Sequence, residues 1–313
     1  MIMKKFLINV LALAFVCVVL TAGIGIIKDP YNVFSWNNMK QKNAAPNYNY
    51  IKTRYLIENP DKFDTYVFGS SRVGNIHVEK MEDCRAYNLF YYSCPLSENL
   101  ETLNVLLEND VVVKKIYLGV DAMSYTIDPA SHYEDPMSCT YKTLHGHPFK
   151  FAKLYLNPST IYESCFIKSM GTGILGLDTI YDYGWWCDYD NGMVMGEEAF
   201  GGVLGGSFLM EETLEDMRAF VKVCEDNHIE LTVFTNPMYK DSYQSAIEEA
   251  DYIHFLEELK KITPFYDFSG INEVTTNHTN YTDVSHANAE VGDMMLDVIL
   301  NGADYGDFGK YVE

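Results

Sequence analysis

TYVFGSSRVGNIHV, Thr65 to Val78, is an apolar run that stops at a glycine and two serines. The run reads as a buried strand over Tyr66–Phe68, and Gly with Ser is ordinary turn chemistry. A serine at the end of such a strand either completes a turn or presents a nucleophile. A nucleophilic serine needs a base and an acid to orient that base, so the rest of the chain has to supply both.

Outward from this strand, short apolar runs alternate with amphipathic stretches. Ala86–Phe90 and Val113–Val120 read as the next strands, with a helix over Ser97–Asn109 between them and Ser97 as its N-cap. Glu211–Asn227 has helical spacing at Leu214, Met217, Phe220, Val221 and Cys224, and IELTVFTNP is a fourth strand that ends at Pro237. A long acidic helix over Tyr243–Ile262, a short strand at Phe265–Phe268 and a last helix over Ala287–Leu300 complete the series. Near-continuous apolar strands alternating with helices predict an α/β fold. The expected form is a three-layer α/β/α, flavodoxin-like domain over residues 64–313 with a parallel five-stranded sheet. Residues 121–207 break the pattern and read as an insertion, rich in Gly and aromatic residues around Trp185 and Trp186. Its Trp and Tyr side chains suit either a cover over a pocket or a small aromatic sub-core.

Ahead of the domain, Lys4 and Lys5 precede Phe6–Ile27, 22 residues without a charge. At 1.5 Å per residue these span roughly 33 Å, enough for a bilayer core. A cleaved signal peptide is the competing reading, with TAG at 21–23 as a weak cleavage site, but its apolar core would be about 7–15 residues. The length predicts a retained transmembrane anchor at 6–27, with residues 1–5 cytoplasmic and the remainder outside. Residues 28–63 form a juxtamembrane connector and a helix closed by Pro60. A formal charge of −21 in 313 residues argues against nucleic acid, which needs a basic footprint. Seven cysteines show no metal-ligand spacing; six lie beyond the anchor, which permits disulfides or buried free thiols equally.

In an open parallel sheet, ligands gather beyond the C-terminal ends of the strands. GSSR, GVDAMS and TNP all fall at such ends. Of eight histidines, His254 and His228 belong to helices, and His145 with His147 lacks a third metal ligand at suitable spacing. His286 lies in a polar loop just before the last helix, with Asp283 three residues upstream. That spacing lets the carboxylate fold back onto one ring nitrogen, although a helix-capping role for the Asp fits the same pattern.

A strand ending in Gly-x-Ser, a parallel three-layer core and a late Asp-x-x-His resemble the SGNH/GDSL hydrolase superfamily. An N-terminal anchor followed by DPY and GSSR resembles its membrane-anchored bacterial branch, including proteins of teichoic-acid D-alanylation and polysaccharide O-acetylation. The resemblance implies Ser71 as nucleophile, His286 as base, Asp283 as its orienting acid, and the Ser71 N–H as an oxyanion donor. It implies acyl transfer or ester hydrolysis on a cell-envelope glycan or polymer, without a metal or other cofactor, beside a membrane-bound O-acyltransferase. Two positions depart from the pattern. Ser93 stands in for the glycine of the second block, and Asp121, in Gly119-Val120-Asp121, replaces the Asn whose amide would meet the oxyanion; Asn236 is the alternative amide. Arg72 is expected at the pocket mouth, holding an acceptor anion or neutralising a surface acid. The departures keep a second function in view, a catalytically degenerate envelope protein that binds glycan or a membrane partner.

Overall fold

Thr65–Phe68 forms β1, and its side chains alternate between two cores, Tyr66 and Phe68 in one and Val67 in the other. This is the two-residue period of a strand covered on both faces. The computed structural model describes residues 2–29, 31, 33–34, 47–135, 137–147, 149–150, 152–153, 157, 194–196 and 209–313. In it β1 pairs in parallel with β2 (Ala86–Asn88), Val67 opposite Asn88, and with β3 (Lys115–Val120), Phe68 opposite Leu118. β4 (Glu230–Thr235) and β5 (Phe265–Asp267) continue the parallel set. The sheet order is β2-β1-β3-β4-β5-β6.

The sixth strand corrects the five-stranded expectation. Lys310–Val312 (β6) pairs antiparallel with β5, which makes the sheet mixed. Its three residues are too short and too polar to announce a strand. What holds them is the cross-strand pair Tyr266–Tyr311, with ring centroids 5.0 Å apart. A short, exposed edge strand carrying a lysine also discourages pairing with a second sheet.

The helices are α1 (Ile2–Lys28), α2 (Tyr48–Glu58), α3 (Leu96–Glu108), α4 (Met123–Thr126), α5 (Pro129–Glu134), α6 (Tyr141–Gly146), α7 (Met210–Asp226), α8 (Lys240–Ala250), α9 (Tyr252–Lys260) and α10 (Ala289–Asn301). Leu103 and Leu106 of α3, Leu214 and Phe220 of α7 and Phe255 of α9 join the Tyr66–Phe68 face; Val291 and Met295 of α10 join the Val67 face. Two boundaries differ from expectation. Pro95, not Ser97, occupies the N-cap of α3, so the Ser97 hydroxyl lies inside the helix rather than capping it. The acidic segment 243–262 is two helices, because Asp251 adopts φ 50°, a left-handed conformation that a short polar side chain tolerates. Trp185 and Trp186 lie outside the described residues. Cys17, Cys84, Cys94, Cys139 and Cys224 are free thiols.

α1 is long and apolar enough to cross a membrane. The chain after it is tied to the domain. Asp29 is buried, and its carboxylate accepts the N–H groups of Val33 and Phe34, both at 2.9 Å. Tyr31 and Val33 pack with Cys139 and Leu144, and Ile26 of α1 lies against that cluster. Asn47, the cap of α2, donates its N–H to the Tyr31 carbonyl and its side-chain amide to the Cys139 carbonyl. Arg54 donates to the Val33 carbonyl.

Candidate active site

The turn after β1 needs its glycine. Gly69 has φ 153°, and a Cβ there would come within 2.9 Å of Val73 Cγ1 and 3.1 Å of the Gly119 carbonyl. Gly119 of β3 makes room from the other side, since its Cβ would meet Val73 Cγ1 at 2.4 Å. Between these glycines the chain enters a 3-10 turn, Ser71–Val73, capped by the Ser70 hydroxyl accepting from the Arg72 N–H. Ser71 is the first residue of that turn, so its N–H has no acceptor within the turn and is free to serve a ligand.

The loop ahead of α10 is closed by an antiparallel bridge between Tyr281 and Ala287 and by the Thr282 N–H donating to the His286 carbonyl. Within it, Asp283 Oδ1 accepts the N–H groups of Ser285 at 2.7 Å and His286 at 2.9 Å. Both Asp283 carboxylate oxygens lie 2.9 Å from His286 Nδ1. His286 Nε2 is 2.8 Å from Ser71 Oγ, across 215 residues of sequence. Burial pushes the Asp283 carboxyl up. The hydrogen bond and charge of His286, with the two backbone N–H groups, outweigh it and hold the pKa below its ordinary value. Asp283 therefore stays ionised, accepts the Nδ1 proton and leaves Nε2 free to take the proton of Ser71.

Arg72 is not at a pocket mouth. It is buried, and its Nη1 lies 3.0 Å from Asp121 Oδ1. The contact is one of charge rather than a hydrogen bond, since Nε and Nη1 lack acceptors in the protein. Asp121 Oδ1 also accepts the Met123 N–H at 2.7 Å, and its Oδ2 accepts from Asn236 Nδ2 at 2.8 Å. The carboxylate is thereby neutralised and turned toward these partners. One N–H of the Asn236 amide is thus committed to Asp121.

Ser93 follows β2 and adopts φ 49°, a left-handed conformation that favours glycine. Around it, three residues that sequence reasoning missed tie the site together. Asn88, the last residue of β2, donates its side-chain amide to the Val73 carbonyl at 2.7 Å and so holds the serine turn. Asn75 donates to the Ala287 and Asn288 carbonyls at 2.8 and 2.9 Å, joining that turn to the histidine loop. Met195, from the insertion, donates its N–H to the Tyr281 carbonyl at 2.7 Å, while its own carbonyl lies 2.8 Å from His278 Nδ1. The insertion thus touches the loop that carries the histidine.

Lys52 of α2 is wholly buried. Its Nζ donates to the Asn88 and Phe90 carbonyls at 3.1 and 2.8 Å and sits 3.6 Å from the Phe90 ring centroid. One signal for it was available: Tyr48, Lys52 and Leu56 stand at i, i+4 and i+8, on one helix face with two buried apolar side chains. Desolvation drives its pKa well below that of a free lysine. Unfolded, the same side chain titrates near about 10.4. Between the two values the unfolded chain binds more protons, so stability rises with pH. The melting temperature of the wild type should therefore gain on that of Lys52→Met as pH climbs from neutral toward about 10. A difference independent of pH would show that Lys52 titrates as an exposed lysine does.

No family model matches this sequence, and no curated protein matches it. The reading of the site rests on its geometry and on the motifs that led to it.

Proposed function

We propose that this protein is an extracytoplasmic serine acyltransferase or esterase of the SGNH/GDSL type, acting on a cell-envelope glycan or polymer. The observation that carries the reading is the hydrogen-bonded line from Ser71 Oγ through His286 to Asp283, at 2.8 and 2.9 Å. His286 Nε2 takes the Ser71 proton as Oγ attacks an acyl carbonyl. The tetrahedral intermediate collapses, the leaving oxygen takes the proton from His286, and the acyl group remains on Ser71. An acceptor hydroxyl, or water, then reverses the steps. The Ser71 N–H and the N–H of Ser93 are the oxyanion donors in this scheme. The strand order β2-β1-β3-β4-β5, with helices on both faces, supports a three-layer, flavodoxin-like core beneath this chemistry. α1 is the membrane anchor in this reading, with Lys4 and Lys5 inside and the site outside. A membrane-bound O-acyltransferase is the proposed acyl donor.

A fluorophosphonate probe, which forms a stable bond to an activated serine, should label the wild type and leave Ser71→Ala unlabelled. Equal labelling of the two proteins would refute the assignment. The carboxylate of Asp121 at the third-block position, with Asn236 bonded to it, favours a second reading, a degenerate binding protein of the same fold. That protein would bind glycan or a membrane partner equally well as Ser71→Ala or His286→Ala. Loss of its cellular role in either variant, with the protein folded and abundant, would reject it.

A further inference from the structure

α3 turns a polar face into a cleft of about 610 Å³, within the size range of small-molecule sites. Ser97, Glu98 and Glu101 form one wall, and Glu98 and Glu101 share a helix face at i, i+3 spacing. Tyr133 of α5, Thr143 of α6 and its N-cap Thr140 form the other. α3 starts just after the Ser93 turn, at the C-terminal end of the sheet, where Ser71 also lies.

The polar groups of this cleft are fixed in place. Glu98 is buried, and its Oε2 accepts from the Tyr91 hydroxyl at 2.7 Å and faces His132 Nδ1 at 2.8 Å. Thr140 Oγ1 donates to Glu101 Oε1 at 2.5 Å. Ser97 Oγ is buried and has no partner in the protein. A buried hydroxyl without a partner is costly unless something arrives to meet it. The lining itself offers carboxylate oxygens and hydroxyls, with Lys142 Nζ 3.8 Å from Glu101 Oε2 and Lys150 against Tyr133. Carboxylates only accept hydrogen bonds, so a ligand that meets them must donate, which an ionised phosphate or carboxylate cannot do.

Neutral polyols and ammonium ions both donate, and Tyr133 separates them. The Lys150 ammonium lies 2.6 Å from the Tyr133 ring centroid, so a cation already covers one face of that ring and opposes a second. Pro129 and Ala130 beside it add an apolar strip suited to the C–H face of a sugar ring.

We propose that this cleft binds a neutral, polyhydroxylated ligand, a saccharide unit of the acceptor chain, and selects against phosphate-linked polymers. Its role as an acceptor subsite rests on the acyl-transfer reading; its binding chemistry does not. The test uses the full chain as Ser71→Ala, in sugar-free detergent micelles, titrated calorimetrically with cellotetraose, maltotetraose, chitotetraose, a glycerol-phosphate oligomer and spermidine. At least one neutral tetrasaccharide should bind, the glycerol-phosphate oligomer should not, and Glu101→Gln should weaken the sugar at least tenfold. Absence of sugar binding, binding unaffected by Glu101→Gln, or spermidine displacing the sugar would each overturn the proposal. Sugar binding by a protein whose wild type takes no fluorophosphonate would keep the cleft and reject the acyl-transfer reading. Labelling without sugar binding would do the reverse.

Discussion

Asp283→Asn is expected to slow fluorophosphonate labelling of Ser71 by about four powers of ten, the order lost when a triad carboxylate becomes an amide. An asparagine Oδ1 can still accept the Ser285 and His286 N–H groups, so the loop keeps its shape. Its NH2, in the place of Oδ2 at 2.9 Å, donates to His286 Nδ1 and favours the ring proton on Nε2, where no lone pair remains for the Ser71 proton. The depressed pKa of Asp283, held down by His286 and two backbone N–H groups, keeps the wild-type carboxylate charged at neutral pH. Labelling time courses across pH, with melting curves to show that the fold is unchanged, make the measurement. A rate within tenfold of wild type would mean that Asp283 does not set the tautomer.

Asp121→Ala should cost about 3–5 kcal/mol of stability, the usual penalty for leaving a buried charge without its partner. The Arg72 side chain is only 3% exposed, and Asp121 at 3.0 Å is its counter-charge. Arg72→Met with Asp121→Leu removes both charges and should recover most of the loss, since a buried pair replaced by apolar side chains is often neutral. Urea unfolding of the full chain and of the single and double variants provides the comparison. A loss below about 1 kcal/mol for Asp121→Ala would show that the guanidinium is solvated after all.

The two predictions differ in how far their residues could be read in advance. Ser71, Asp283 and His286 were legible because each sits in a local pattern: a strand end, a D-x-x-H spacing, the start of a final helix. The convergence of the first with the other two follows from where parallel strands leave their ends. Arg72 and Asp121 were not legible as a pair. A charge carries no mark of burial in sequence, and the partners meet only because β1 lies beside β3. Ser93 stands where a glycine is expected, but its φ of 49° belongs to the folded turn and is not written in a serine. Asp251 splits a helix whose apolar spacing runs on across the break, so periodicity alone joined the halves. β6 went unseen because it is held by one tyrosine pair rather than by a strand-like composition.

The join between α1 and the domain bears on what the site can reach. Asp29, Tyr31 and Val33 are buried where a loose tether would leave them in water, and Asn47 ties them to the start of α2. In the proposed topology this makes the anchor a stalk of set height. On that proposal the serine would explore its surroundings by sliding in the plane of the bilayer, a two-dimensional search at nearly constant elevation. Units of the proposed polymer at that elevation would meet the site repeatedly, while units farther out would be passed over whatever their chemistry. The pattern of modification along the polymer would then record the length of the stalk as well as the shape of the pocket.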